Sequence, residues 1–310
     1  ILYYYLEGKI INMKKYNINK EIKILRFFKF SIFKWIIPIY NLFLSIISNN
    51  KHTDKNVIVR KIKVKSIDGK KIKVYEFIPK KSCNTTSSML YFHGGAFYLK
   101  ATFYHYSLAK KYATLGNRKV FFVEYRLSLK NKYPTAVWDA YYSYLFLLEN
   151  SEKLNIDPHD IGVGGDSAGG NIAISLSIFL KEKGFVLPKY QLLVYPVIDD
   201  IVTQSKIEFV DTPMWNSKLN KKMWEYYLLD KSIYKSPFDN LINIRTYIEV
   251  AEYDCLKDEG IKYYEYLKEN NISVYLNETL GTVHGYDILL NTQLAKENIK
   301  KRIDFIKNTK

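Results

Sequence analysis

The residues of 57–64 and 71–78 alternate apolar and polar side chains, the two-residue period of half-buried strands. Asp68-Gly69 between them signals a hairpin turn, and Pro79 ends the second run. Short apolar runs follow at 89–92, 120–123, 161–164, 192–195, 247–250 and 274–276, where strands are predicted. Helical stretches at 104–115, 134–148 and 168–180 lie between the earlier runs, the second opening on Pro134. Strands alternating with helices predict an α/β fold. Its central sheet is mostly parallel, flanked by helices and joined by right-handed crossovers.

Two segments stand outside this rhythm. Residues 198–240 are too long for a loop and carry Trp215, Met223, Trp224, Tyr226 and Tyr227 at helical spacing. An insertion after a strand of such a sheet is placed to cover a site at the strands' carboxyl ends. The second is an apolar stretch at 27–47, broken by Lys29 and Lys34 and containing Pro38. Its longest charge-free run, 35–50, falls short of the ~20 apolar residues that span a bilayer. Without a small-residue cleavage site it does not read as a signal peptide. It reads first as a lid helix, with an interfacial membrane helix as the alternative. The expected organisation is lid helices over 1–55, a core at 56–197 and 241–310, and a lid insertion at 198–240. Met13-Lys14-Lys15 looks like a start, so 1–12 are read as an extension.

Composition narrows the classes. A length of 310 residues with 47% hydrophobic content suits one large domain and excludes wholesale disorder. Cys83 and Cys255 are too few for a disulfide framework or a cysteine-rich zinc module, and read as free thiols in a reducing, cytoplasmic compartment. The net charge of +16 comes from lysines spread along the chain, without a block of five or six. It reads as compositional drift rather than a nucleic-acid footprint. A membrane surface remains a candidate partner through 27–47.

The candidate chemistry centres on Gly165-Asp166-Ser167-Ala168-Gly169-Gly170, between a predicted strand and a predicted helix. A strand turning sharply into a helix exposes the serine oxygen, and the residues two before and two after must be small. Gly165 and Gly169 meet that demand; a phosphate loop is disfavoured because the spacing is wrong and no lysine follows. His93-Gly94-Gly95-Ala96 follows the 89–92 strand, and its glycines let backbone N–H groups approach a substrate oxygen. Gly94, Gly95 and Ala168, the residue after the serine, are the expected oxyanion donors. Of five histidines, His52 lies in a polar linker, His93 reads as structural, and His105 and His159 read as solvated. His284 alone lies beyond both the serine and a strand-terminal carboxylate, the chain order Ser, acid, His. Asp254 is the expected orienting acid, Asp258 the runner-up, and Asp199 and Asp200 rank third. No metal or cofactor is implied.

These motifs, spread over about 88–290, resemble the hormone-sensitive-lipase family of α/β-hydrolase carboxylesterases, which includes acetyl esterases and arylacetamide deacetylases. His93-Gly94-Gly95-Ala96-Phe97 resembles H-G-G-G, and Glu124-Tyr125-Arg126-Leu127 resembles D-Y-R-L. Gly165-Asp166-Ser167-Ala168-Gly169 matches G-D-S-A-G, and Tyr195-Pro196-Val197-Ile198-Asp199 is similar to Y-P-x-x-D. Asp254-Cys255-Leu256-Lys257-Asp258-Glu259-Gly260 resembles D-P-L-x-D-E-G, and His284-Gly285-Tyr286 resembles H-G-F. The resemblance implies an α/β-hydrolase fold with a helical lid and a triad of Ser167, Asp254 and His284. The chain departs from the pattern at Ala96, Cys255 and Ser128-Leu129, none of which removes a catalytic group. The expected activity is hydrolysis of small-molecule esters with short to medium acyl or aryl groups. Alternatives are a membrane-surface lipase, an amidase or deacetylase on the same triad, and a non-catalytic ligand-binding protein.

Overall fold

The alternating runs become strands β1 (Val57–Lys65) and β2 (Lys71–Pro79), an antiparallel hairpin turning at Gly69 with φ of 75°. A computed structural model describes residues 16–29, 33–48 and 50–308, with the backbone of two short paired strands, Tyr5–Leu6 and Lys9–Ile10. The extension expected over residues 1–12 otherwise lies outside the described residues.

The apolar runs become β3 (Ser88–Phe92), β4 (Lys119–Glu124), β5 (Ile161–Asp166), β6 (Tyr190–Val194), β7 (Arg245–Tyr253) and β8 (Val274–Val283). Among the described residues they join the hairpin in one sheet of order β8-β7-β6-β5-β3-β4-β2-β1. From β8 to β4 every pairing is parallel, and β2 joins β4 antiparallel.

The runs are apolar at every position because both faces are covered. Met89 and Tyr91 point into one core with α2 (Phe103–Gly116) and the C-terminal helix α8 (Gln293–Lys307). Leu90 and Phe92 point into the other. That second core is shared with α3 (Thr135–Glu149), α4 (Ala168–Glu182) and α7 (Lys257–Glu269). α4 is buried along most of its length because it lies behind the central strands.

Between β6 and β7 the chain leaves the sheet through α5 (Gln204–Glu208) and α6 (Ser217–Tyr227). The N-terminal part forms a 3₁₀ helix, Lys20–Phe27, and α1 (Ile37–Ile47), with Pro38 at its start. The Met214 N–H donates to the Phe28 carbonyl at 2.8 Å, which ties these two parts together. Among the described residues no helix is long and apolar enough to cross a membrane.

Candidate active site

β5 ends at Asp166 and α4 begins at Ala168, so Ser167 alone makes the turn. It does so at φ 55° and ψ −120°, a conformation that costs a non-glycine residue of order 1–3 kcal/mol and persists only when its surroundings enforce it. Those surroundings are the Ser167 N–H on the Val194 carbonyl at 2.9 Å and the Val197 N–H on the Ser167 carbonyl at 3.0 Å. The small neighbours are required sterically. A Cβ on Gly169 would sit 2.0 Å from the Phe92 carbonyl oxygen, and one on Gly165 would sit 2.3 Å from the Gly169 carbonyl carbon.

Asp254 and His284 come from the next two strand ends. The register pairs Val283 of β8 with Tyr253 of β7, so the residues that follow, His284 and Asp254, are neighbours. His284 follows its strand directly, because β8 runs to Val283 instead of stopping near 276. His284 Nδ1 lies 2.6 Å from Asp254 Oδ2, and His284 Nε2 lies 2.9 Å from Ser167 Oγ. Asp254 is fully buried, and its other oxygen accepts the Leu256 N–H at 3.0 Å. A carboxylate at Nδ1 fixes the proton there, which leaves Nε2 as an acceptor facing the hydroxyl.

The other candidate acids are used elsewhere. Asp258 Oδ2 accepts the Ser205 N–H at 2.7 Å. Asp199 accepts from Ser236, and Asp200 pairs with Lys231.

The glycine loop lies against the serine turn, and its first member departs from expectation. The Gly94 N–H donates to Asp166 Oδ2 at 3.0 Å, so in this geometry it is not directed at a substrate oxygen. Among the described residues the amides of Gly95, Ala96 and Ala168 have no protein acceptor. Gly95, Ala96 and Phe97 all have positive φ, 117°, 55° and 63°.

His105 was expected in solvent and is instead 7% exposed. Its Nδ1 accepts the Thr102 N–H at 2.9 Å, so the proton is on Nε2, which faces Asp166 Oδ2 at 3.3 Å. The Tyr91 hydroxyl donates to Asp166 Oδ1 at 2.8 Å. Burial opposes ionisation of Asp166, but His105 and the Tyr91 hydrogen bond outweigh it and hold the carboxyl below its usual range. His93 donates from Nδ1 to the Gly94 carbonyl at 2.6 Å and stacks on Tyr125 at 4.4 Å between centroids. Burial, with His105 adjacent, pushes its pKa down to about 4. His52 and His159 are exposed, as read from the sequence.

Beyond His284, the loop is anchored by groups that no motif revealed. Arg302 of α8, fully buried, donates to Asp287 Oδ2 at 2.6 Å and to Glu249 Oε2 at 3.0 Å. Asp287 also accepts the Tyr195 hydroxyl at 2.6 Å, and the Tyr195 ring lies 4.8 Å from that of His284. Trp215, from the 198–240 segment, places its ring 6.0 Å from that of His284. Among the described residues no group of three or more His, Cys, Asp or Glu side chains is arranged to hold a metal ion.

Residues 89–288 match the protein family described as the alpha/beta hydrolase fold. Esterase LipI of Mycobacterium tuberculosis is 31% identical over 207 residues, which span 64% of this chain and 65% of that protein. Arylacetamide deacetylase of Bos taurus is 24% identical over 326 residues, 82% of this chain and 80% of its own length. A solved bacterial heroin esterase superposes with a TM-score of 0.84 at 27% identity, covering 94% of this chain and 98% of that one. The chain belongs to the α/β-hydrolase fold family, in its hormone-sensitive-lipase-like group, and is an enzyme of the esterase kind.

Proposed function

We propose that the protein is a serine carboxylesterase acting on small esters with short to medium acyl or aryl groups. The observation that carries this is the 2.9 Å approach of His284 Nε2 to Ser167 Oγ, with His284 Nδ1 held by Asp254 at 2.6 Å. Ser167 Oγ attacks the ester carbonyl carbon as His284 Nε2 takes its proton. The Asp254 carboxylate stabilises the resulting imidazolium without taking the proton itself. Charge on the tetrahedral oxygen falls to the amides of Gly95, Ala96 and Ala168, the last at a helix N-terminus. His284 returns the proton to the leaving alkoxide, and water then hydrolyses the acyl-enzyme by the reverse sequence. The methyl of Ala96, where the resembled H-G-G-G motif has its third glycine, does not alter its amide.

Residues 198–240 and the N-terminal helices serve as the lid in this reading. Trp215 walls the site with an aromatic face, which suits an apolar acyl or aryl group. The test is Ser167→Ala, assayed on p-nitrophenyl butyrate and with a fluorophosphonate probe. Loss of both turnover and labelling is expected. Labelling or wild-type turnover in the variant overturns the assignment.

A further inference from the structure

Helix α1 reverses the usual polarity of a surface helix. Its amide side chain, Asn41, is directed at the protein: Nδ2 donates to the Tyr98 carbonyl at 2.8 Å and Oδ1 accepts the Lys100 N–H at 2.8 Å. Ser45 Oγ accepts from Lys100 Nζ at 2.6 Å. Only Ile37 and Leu44 of the helix are buried hydrophobics. Ile39, Leu42, Phe43 and Ile46 face solvent at 61, 65, 55 and 71% exposure, and Phe27 and Trp35, which precede the helix, are 64 and 70% exposed. A contiguous apolar surface of this kind marks an interaction site.

Charge identifies the occupant. From Ile22 to Asn50 the chain carries Lys23, Arg26, Lys29 and Lys34 and no Asp or Glu. Lys23, Lys29 and Lys34 are exposed. A second copy of the chain on this face would bring like charges together, which disfavours self-association. An anionic bilayer satisfies both features, since lysine stems lie along apolar surface while their ammonium groups reach lipid phosphates. At 11 residues α1 is about 16 Å long, well short of a bilayer core of about 30 Å.

We propose that α1 and the aromatic residues before it dock this chain on an anionic membrane surface, lying in the interface without spanning it. The hydrogen bond from Met214 to Phe28 joins this face to the segment whose Trp215 lies against His284. Docking therefore brings the proposed ester site beside lipid-dissolved substrates.

The test is co-sedimentation of the full chain with vesicles of phosphatidylcholine alone and of phosphatidylcholine mixed with phosphatidylglycerol. Binding to the mixed vesicles is expected, weakened by added salt. Each of Lys29→Gln and Lys34→Gln lowers it about fivefold. The double variant Leu42→Ser/Phe43→Ser abolishes binding while its circular dichroism spectrum matches that of the parent. If its fold is lost, the two lysine variants decide. Failure of the full chain to sediment with mixed vesicles overturns the proposal. So does sedimentation velocity showing a dimer that the double variant dissociates. Binding is read without any turnover, so it stands or falls separately from the esterase assignment.

Discussion

The Oδ2 atom of Asp166 accepts the N–H of Gly94 at 3.0 Å, so the residue before the proposed nucleophile holds the first residue of the neighbouring glycine loop. A Cβ on Gly94 would fall 2.3 Å from that same oxygen, which is why glycine occupies the position. His105 and Tyr91 fix the carboxylate from the other side. Helix α2, strand β3 and the loop thus share one buried acceptor.

Exchanging one carboxylate oxygen for an N–H donor leaves too few acceptors for the Gly94, Tyr91 and His105 donors, which should misplace the loop amides while leaving the triad intact. For Asp166→Asn we expect kcat to fall about 10- to 100-fold, with KM changed little, because oxyanion donors act chiefly on the transition state. Steady-state kinetics on p-nitrophenyl butyrate check this; an unchanged kcat separates Asp166 from catalysis.

Asp254→Asn keeps the shape of the side chain but permits the wrong imidazole tautomer. A fall in kcat of about ten-thousand-fold is expected. Residual activity within tenfold of the parent would show that another group orients His284.

His93 makes stability depend on pH. Above its ordinary pKa of 6.5 the ring is neutral in both folded and unfolded chains and contributes nothing. Between 6.5 and about 4 the unfolded chain takes up a proton that the buried ring refuses, so stability falls with pH. Below that it levels off, after a loss of roughly 3 kcal/mol from this group. Urea midpoints across this range should fall for the parent and fall less for His93→Gln.

Arg302→Met leaves Glu249 and Asp287 buried without their cation. Breaking such a pair from one side costs about 3–5 kcal/mol. The urea midpoint should drop accordingly. Turnover should weaken further than folding alone explains, because Asp287 lies three residues beyond His284 and holds Tyr195 beside its ring.

Much of this molecule was legible along the chain because its signals are local. Period-two alternation in 57–78 and apolar runs bounded by turn residues report burial on one face or two, which each segment's own residues determine. The small residues flanking Ser167 are legible for the same reason, since a strand-turn-helix leaves room for nothing larger. The ends of elements were less so. Nothing near 276 shows that β8 continues to Val283, because only the pairing of Val283 with Tyr253, past an irregularity after Thr279, returns the chain to β7.

Tertiary structure alone decided which polar groups share a buried partner. His105 opens a helix and reads as solvated, yet the fold carries it onto a carboxylate 61 positions later in the chain, with Nδ1 taken by the Thr102 N–H and Nε2 facing Asp166. Gly94 reads as a free donor until that same carboxylate is beside it. Arg302 sits in a helix with four lysines, and only its packing behind β7 turns it into the counterion of Glu249 and Asp287. Composition and spacing describe what each segment can bury. Where a buried charge or N–H finds its match depends on segments that meet only after folding, and the cost of leaving such a group unmatched then fixes the geometry around Ser167.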